Sequence, residues 1–107
     1  DKIGYTIELC ENNIEDIKAE IENLNSQIDE KNQEINVLEN RNNHLEDEKK
    51  YQVDSEKLAS DGEIISNNNT INNAKNLITK LQKNIDEDNE KIDKLNEKID
   101  NLQESEE

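Results

Sequence analysis

The residues able to do chemistry are few and scattered. His44 is the sole histidine and Cys10 the sole cysteine, 34 positions apart. No second His or Cys stands at ligand spacing, so neither begins a zinc site. A hydrolytic triad needs a nucleophile, a histidine and a shaped pocket, and nothing here assembles one. Asp86, Asp88, Glu90 and Glu97 have the acid spacing of a calcium loop, but Lys91 stands where the sharp turn requires Gly. Asn68-Asn69-Thr70 is a glycosylation sequon that matters only in an exported chain. Ser60-Asp61-Gly62-Glu63 reads either as an acidophilic kinase site or, preferably, as a helix cap with Ser60 and Glu63 at capping-box spacing. Gly-rich phosphate loops, basic patches and aromatic platforms are missing; Tyr5 and Tyr51 are too far apart to stack bases. The expectation is a protein without enzymatic activity, cofactor, metal or small-molecule substrate.

Composition explains why. Of 107 residues, 28 are acids and 13 are bases, a net charge of −15, and the hydrophobic share is 29% without Phe, Trp, Met or Pro. So little apolar bulk cannot fill a globular core against the entropy of ordering the chain. It suffices for a long helix with a narrow apolar seam. The charge repels phosphate backbones and anionic lipid, so nucleic acid and membrane surfaces are not expected partners; protein is. A single Cys excludes an internal disulfide framework. The compartment is not fixed, with a lean towards the cell interior. Starting at Asp1 without any Met, the chain reads as part of something longer.

Spacing supplies the strongest signal. Steps of four and three run through Ile3, Ile7, Cys10, Ile14, Ile17, Ile21, Leu24, Ile28, Lys31, Ile35, Leu38, Asn42 and Leu45. A second run passes through Ile64, Asn67, Ile71, Ala74, Ile78, Leu81, Ile85, Asp88, Ile92, Leu95, Ile99 and Leu102. These are heptads, and the fold class they predict is an all-α coiled coil. Continuing the first run through Lys49, Gln52, Glu56 and Ala59 reaches Glu63 rather than Ile64, so the phase slips by one residue. Gly62, which costs a helix interior ~1 kcal/mol, sits at the same place.

Two architectures follow. In the preferred one, helices 1–59 and 64–107 fold into an antiparallel hairpin about a turn at Ser60, Asp61, Gly62 and Glu63. Layers then match Leu45 with Ile78, Asn42 with Leu81, Leu38 with Ile85 and Leu24 with Ile99. Lys31 and Asp88 fall in adjacent layers as a core polar pair. The alternative is one continuous helix in a parallel dimer or trimer, which sets Lys31 and Asp88 each against its own copy. Arg41 and Glu46 would attract there, while Glu34 and Glu39 would repel.

The hairpin leaves residues 1–20 without an intrachain partner. Their seam, Ile3, Ile7, Cys10, Ile14 and Ile17, is then a docking stripe for another helix. Cys10 reads as a small seam residue, or as an interchain disulfide in an oxidising compartment. The functional expectation is structural: a segment acting as spacer, oligomerisation arm or protein-docking scaffold. The alternatives are a helical module whose residues 1–20 dock a partner helix, and an extracellular rod or fibre stalk.

Overall fold

The computed structural model describes residues 1–106. It is an all-α helical hairpin: α1 spans Lys2–Glu48, a single 3₁₀ turn Lys49–Tyr51 follows, and α2 spans Asp54–Glu106. Asp1 caps α1, its carboxylate accepting from the Gly4 N–H at 2.6 Å. At the far end the helix tightens, Gln52 turns extended (φ −93°, ψ 150°), and its N–H donates to the Lys49 carbonyl at 3.3 Å. Lys49 and Lys50 lie where the negative end of the helix dipole favours cations. At the start of α2, the Glu56 carboxylate reaches back to the Val53 N–H at 3.1 Å, one half of a capping box. Asp54 and Glu56 put acid in the first turn.

The reversal is therefore at Lys49–Val53, not at Ser60–Glu63, which lie inside α2. The continuous parallel helix is excluded with it, and residues 54–59 belong to the second helix. The reason lies in the slip of phase. Glu56 and Ala59, where the first run would continue, are exposed, whereas Ser60, in step with Ile64, is buried. The two phases belong to two helices whose junction falls among the polar positions Lys49 and Gln52, where breaking the seam forfeits little apolar contact. Gly62 has open space beside it and is carried within a 53-residue helix at its ordinary cost.

Burial follows the four-and-three spacing. Cys10, Ile14, Leu24, Ile35 and Leu45 on α1 are buried, as are Ile71, Ala74, Leu81, Ile85 and Ile99 on α2. The chain divides into two compact units. One joins Asp1–Ser26 to α2 from Leu81 onward; the other is Gln27–Lys80. In the first, Cys10, Ile14 and Ile99 form a cluster with Ile7, Ile92 and Leu95 packed against it. In the second, Ile35, Ile71 and Ala74 cluster with Leu38 and Ile78.

Candidate functional site

In the unit containing the turn, the seam is polar near the reversal. Ser60 Oγ and Gln52 Oε1 are 2.8 Å apart. Lys49 pairs with Asp61, which holds the ammonium above its usual pKa, chiefly through their hydrogen bond. Further along, Asn67 Nδ2 donates to Asn42 Oδ1 at 2.9 Å, and Asn42 Nδ2 to Asn68 Oδ1 at 3.0 Å. Arg41 grips Glu63 through Nε (2.8 Å) and Nη2 (3.3 Å). That hydrogen bond is the main reason the Glu63 carboxylate stays below its usual range; the Arg41 charge and the Asn67 amide act the same way, and desolvation opposes them. Six of the eight large exposed apolar side chains belong to this unit: Val37, Tyr51, Val53, Leu58, Ile65 and Leu77. Tyr51, at the turn, is 90% exposed.

These pairings differ from the expected ones by a fixed amount. Asn42 meets Asn67 rather than Leu81, and Cys10 packs with Ile99 where Leu24 was expected. Both shifts are two heptads. A slide of whole heptads leaves every seam residue on the seam and changes only its partner.

Two consequences correct the sequence reading. Residues 1–20 are not left over: Cys10 and Ile14 are buried against Ile99, Ile7 packs on that cluster, and Ile3 and Ile17 are half-buried. Cys10 is a free thiol within the packed seam. Lys31 and Asp88 do not pair either. Lys31 Nζ donates to Glu34 at 3.3 Å, and Asp88 lies 3.7 Å from Lys91, each partner on the same helix. Asp88 is 4% exposed, and its Oδ2 meets no hydrogen-bond partner.

Two grooves flank the first unit's seam. One, of about 370 Å³, is lined by Asn13, Asp16, Ile17, Lys91, Lys94 and Leu95. The other runs along Glu11, Asn12, Ile14, Glu15, Lys18, Asn96 and Ile99. His44 is exposed, its Nε2 2.9 Å from Glu48. Among the described residues no group of three or more His, Cys, Asp or Glu is placed to hold a metal ion. No described helix is long and apolar enough to cross a membrane.

The Arg41–Glu63 and Asn42–Asn67 pairs were missed from sequence, although a signal for them exists. One register puts Asn opposite Asn, puts Arg beside Glu, and gives residues 1–20 partners; the expected register set the Asn42 amide against Leu81. No family model, curated protein or solved structure matches the chain.

Proposed function

We propose that the chain is a structural helical arm of coiled-coil type, serving as spacer, oligomerisation arm or protein-docking scaffold, and that it catalyses nothing. The observation that supports this reading is where its apolar residues lie: most form a seam between two antiparallel helices, and the remaining surface is mainly charged or amide-bearing. An arm of this kind positions other groups by its own stiffness. Its partners are proteins, with neither nucleic acid nor lipid favoured by a net charge of −15. The reading is tested on the isolated chain by circular dichroism and urea unfolding. Strong helicity with cooperative unfolding is expected; a chain that is largely disordered without a partner overturns it.

A second reading, a docking module, is favoured at a different place from residues 1–20. Docking there requires α1 to leave α2 and expose Cys10 and Ile14. The turn offers uncovered apolar groups instead, Tyr51, Val53 and Leu58. Replacing all three with Ser is expected to leave helicity intact while abolishing this docking. Loss of helicity in that variant would mean the three serve the fold. The extracellular-rod reading rests on Asn68 alone, exposed and hydrogen-bonded to Asn42 through its Oδ1.

A further inference from the structure

The unit built from Asp1–Ser26 and the end of α2 holds 17 acids and 6 bases, net −11, while Gln27–Lys80 holds 11 and 7, net −4. That charge is unevenly placed around the first unit. Along the 370 Å³ groove the floor is Ile17 and Leu95. Its α1 rim carries Asp16, with Glu20 continuing the same face one turn on. Its α2 rim carries Lys91 and Lys94, with Lys98 continuing that face in one direction and Glu87 in the other. One rim is acidic and the other mainly basic. Neither Asp16 nor Lys94 has an ion-pair partner among the described residues, while Lys91 lies near Asp88. The opposite groove differs: Glu11, Glu15 and Lys18 line it on α1, and Asp93 and Asp100 share the α2 face of Asn96.

We propose that the Ile17–Leu95 groove is the contact face of a homodimer, in which two copies pack their first units together as four helices about a two-fold axis running along the helices. Such an axis lays α1 of each copy over α2 of the other and keeps every residue at its own level. Asp16 of one copy then falls between Lys91 and Lys94 of the second, and Glu20 falls between Lys91 and Glu87. Symmetry repeats both contacts. A face with one acidic and one basic rim is complementary to itself under this operation. The other groove sets Glu11 and Glu15 against Asp93 and Asp100, with Lys18 alone to offset them, and is the poorer match to a copy. Leu9, 45% exposed and on the same α1 stripe as Asn13, Asp16 and Glu20, becomes covered.

The area is adequate. About 26 residues of each helix at ~1.5 Å rise, with two helices ~10 Å apart, give a face of roughly 780 Å² per copy, against ~800 Å² for a standard interface. Two hairpins joined in this way make a four-helix bundle, a common solution for amphipathic helix pairs. The proposal rests on the oligomerisation reading of the arm and names the surface it uses.

Sedimentation equilibrium of the whole chain, over roughly 1 to 500 µM at moderate salt, tests it. A reversible dimer is expected. Lys94→Glu and Asp16→Lys are each expected to weaken it by about tenfold or more, because each sets like charges together twice. The double variant restores opposite charges across the axis and is expected to recover dimerisation. Both positions are exposed, and helicity at the lowest concentration confirms that each variant folds. A chain that stays monomeric throughout, single variants that dimerise like the parent, or a double variant no better than the singles would each overturn the proposal. A folded monomer leaves the spacer reading standing; a disordered chain removes both.

Discussion

Asn67 donates its side-chain N–H to Asn42 Oδ1 at 2.9 Å, so the two seam amides satisfy one another across the hairpin. Replacing one with Leu leaves the other, in a half-buried layer, with a single remaining partner, Asn68 for Asn42 or Glu63 for Asn67. Asn42→Leu or Asn67→Leu alone is expected to cost about 1–3 kcal/mol, and the double change to be near neutral. Urea unfolding of the three variants forms a double-mutant cycle; additive losses would show that the pairing contributes nothing.

Gly62 separates the two positions considered for the reversal. Within α2, with nothing near the added methyl, Gly62→Ala is expected to stabilise the chain by about 1 kcal/mol. A turn at this residue would make the same change neutral or harmful, and the urea midpoint distinguishes the two.

Asp88 is a buried carboxylate with one oxygen unpartnered. Asp88→Leu removes that desolvated charge and frees Lys91, whose side chain is 65% exposed and loses little. A gain of about 1–2 kcal/mol in unfolding free energy is expected. A loss would mean that the charge is compensated in solution.

The Arg41–Glu63 pair imposes a pH dependence. Glu63 has a lowered pKa in the folded chain, so its contribution is complete above the unfolded carboxylate value and disappears as pH falls through the folded one. Glu63→Gln is therefore expected to melt below the parent at neutral pH, the gap closing once pH drops below about 4. A gap unchanged down to strong acid would assign the difference to packing.

Cys10 and Ile99 share one cluster. In Ile99→Cys, mild oxidation is expected to join the two sulfurs within a single chain and to raise the urea midpoint, since cross-linking so long a loop is worth about 4–5 kcal/mol in the entropic account. Non-reducing electrophoresis and mass analysis read the outcome. Cross-linking only between chains would contradict the observed layers.

The seam residues were legible in the sequence because burial depends on which face a residue occupies, and spacing alone decides the face. Cys10, Ile14, Leu24, Ile71 and Ile99 are buried where the heptads put them. Partners are a different matter. Moving α2 by two heptads keeps Ile99 on the seam while exchanging Leu24 for Cys10, and apolar periodicity cannot register that exchange. The polar residues carry the missing information, Asn42 with Asn67 and Arg41 with Glu63. Ser60 and Glu63 misled because capping-box spacing also occurs inside helices. The start of α2 is marked less conspicuously, by Val53 with Glu56 behind it. Of the expected docking stripe, Ile7, Cys10 and Ile14 are packed against Ile99 rather than free.

The reversal itself places few demands on its residues. The described chain contains no positive φ, and Gln52 is the extended residue between the 3₁₀ turn and α2. No glycine occupies Lys49–Val53, and Tyr51 touches solvent on almost every side. Lys50, Tyr51 and Val53, all exposed, can be exchanged without stereochemical penalty, so long as the caps on either side survive. Drift at these three leaves the seam pairs of Lys49 with Asp61 and Gln52 with Ser60 undisturbed. The same hairpin can carry different surfaces at its bend while the helices stay fixed.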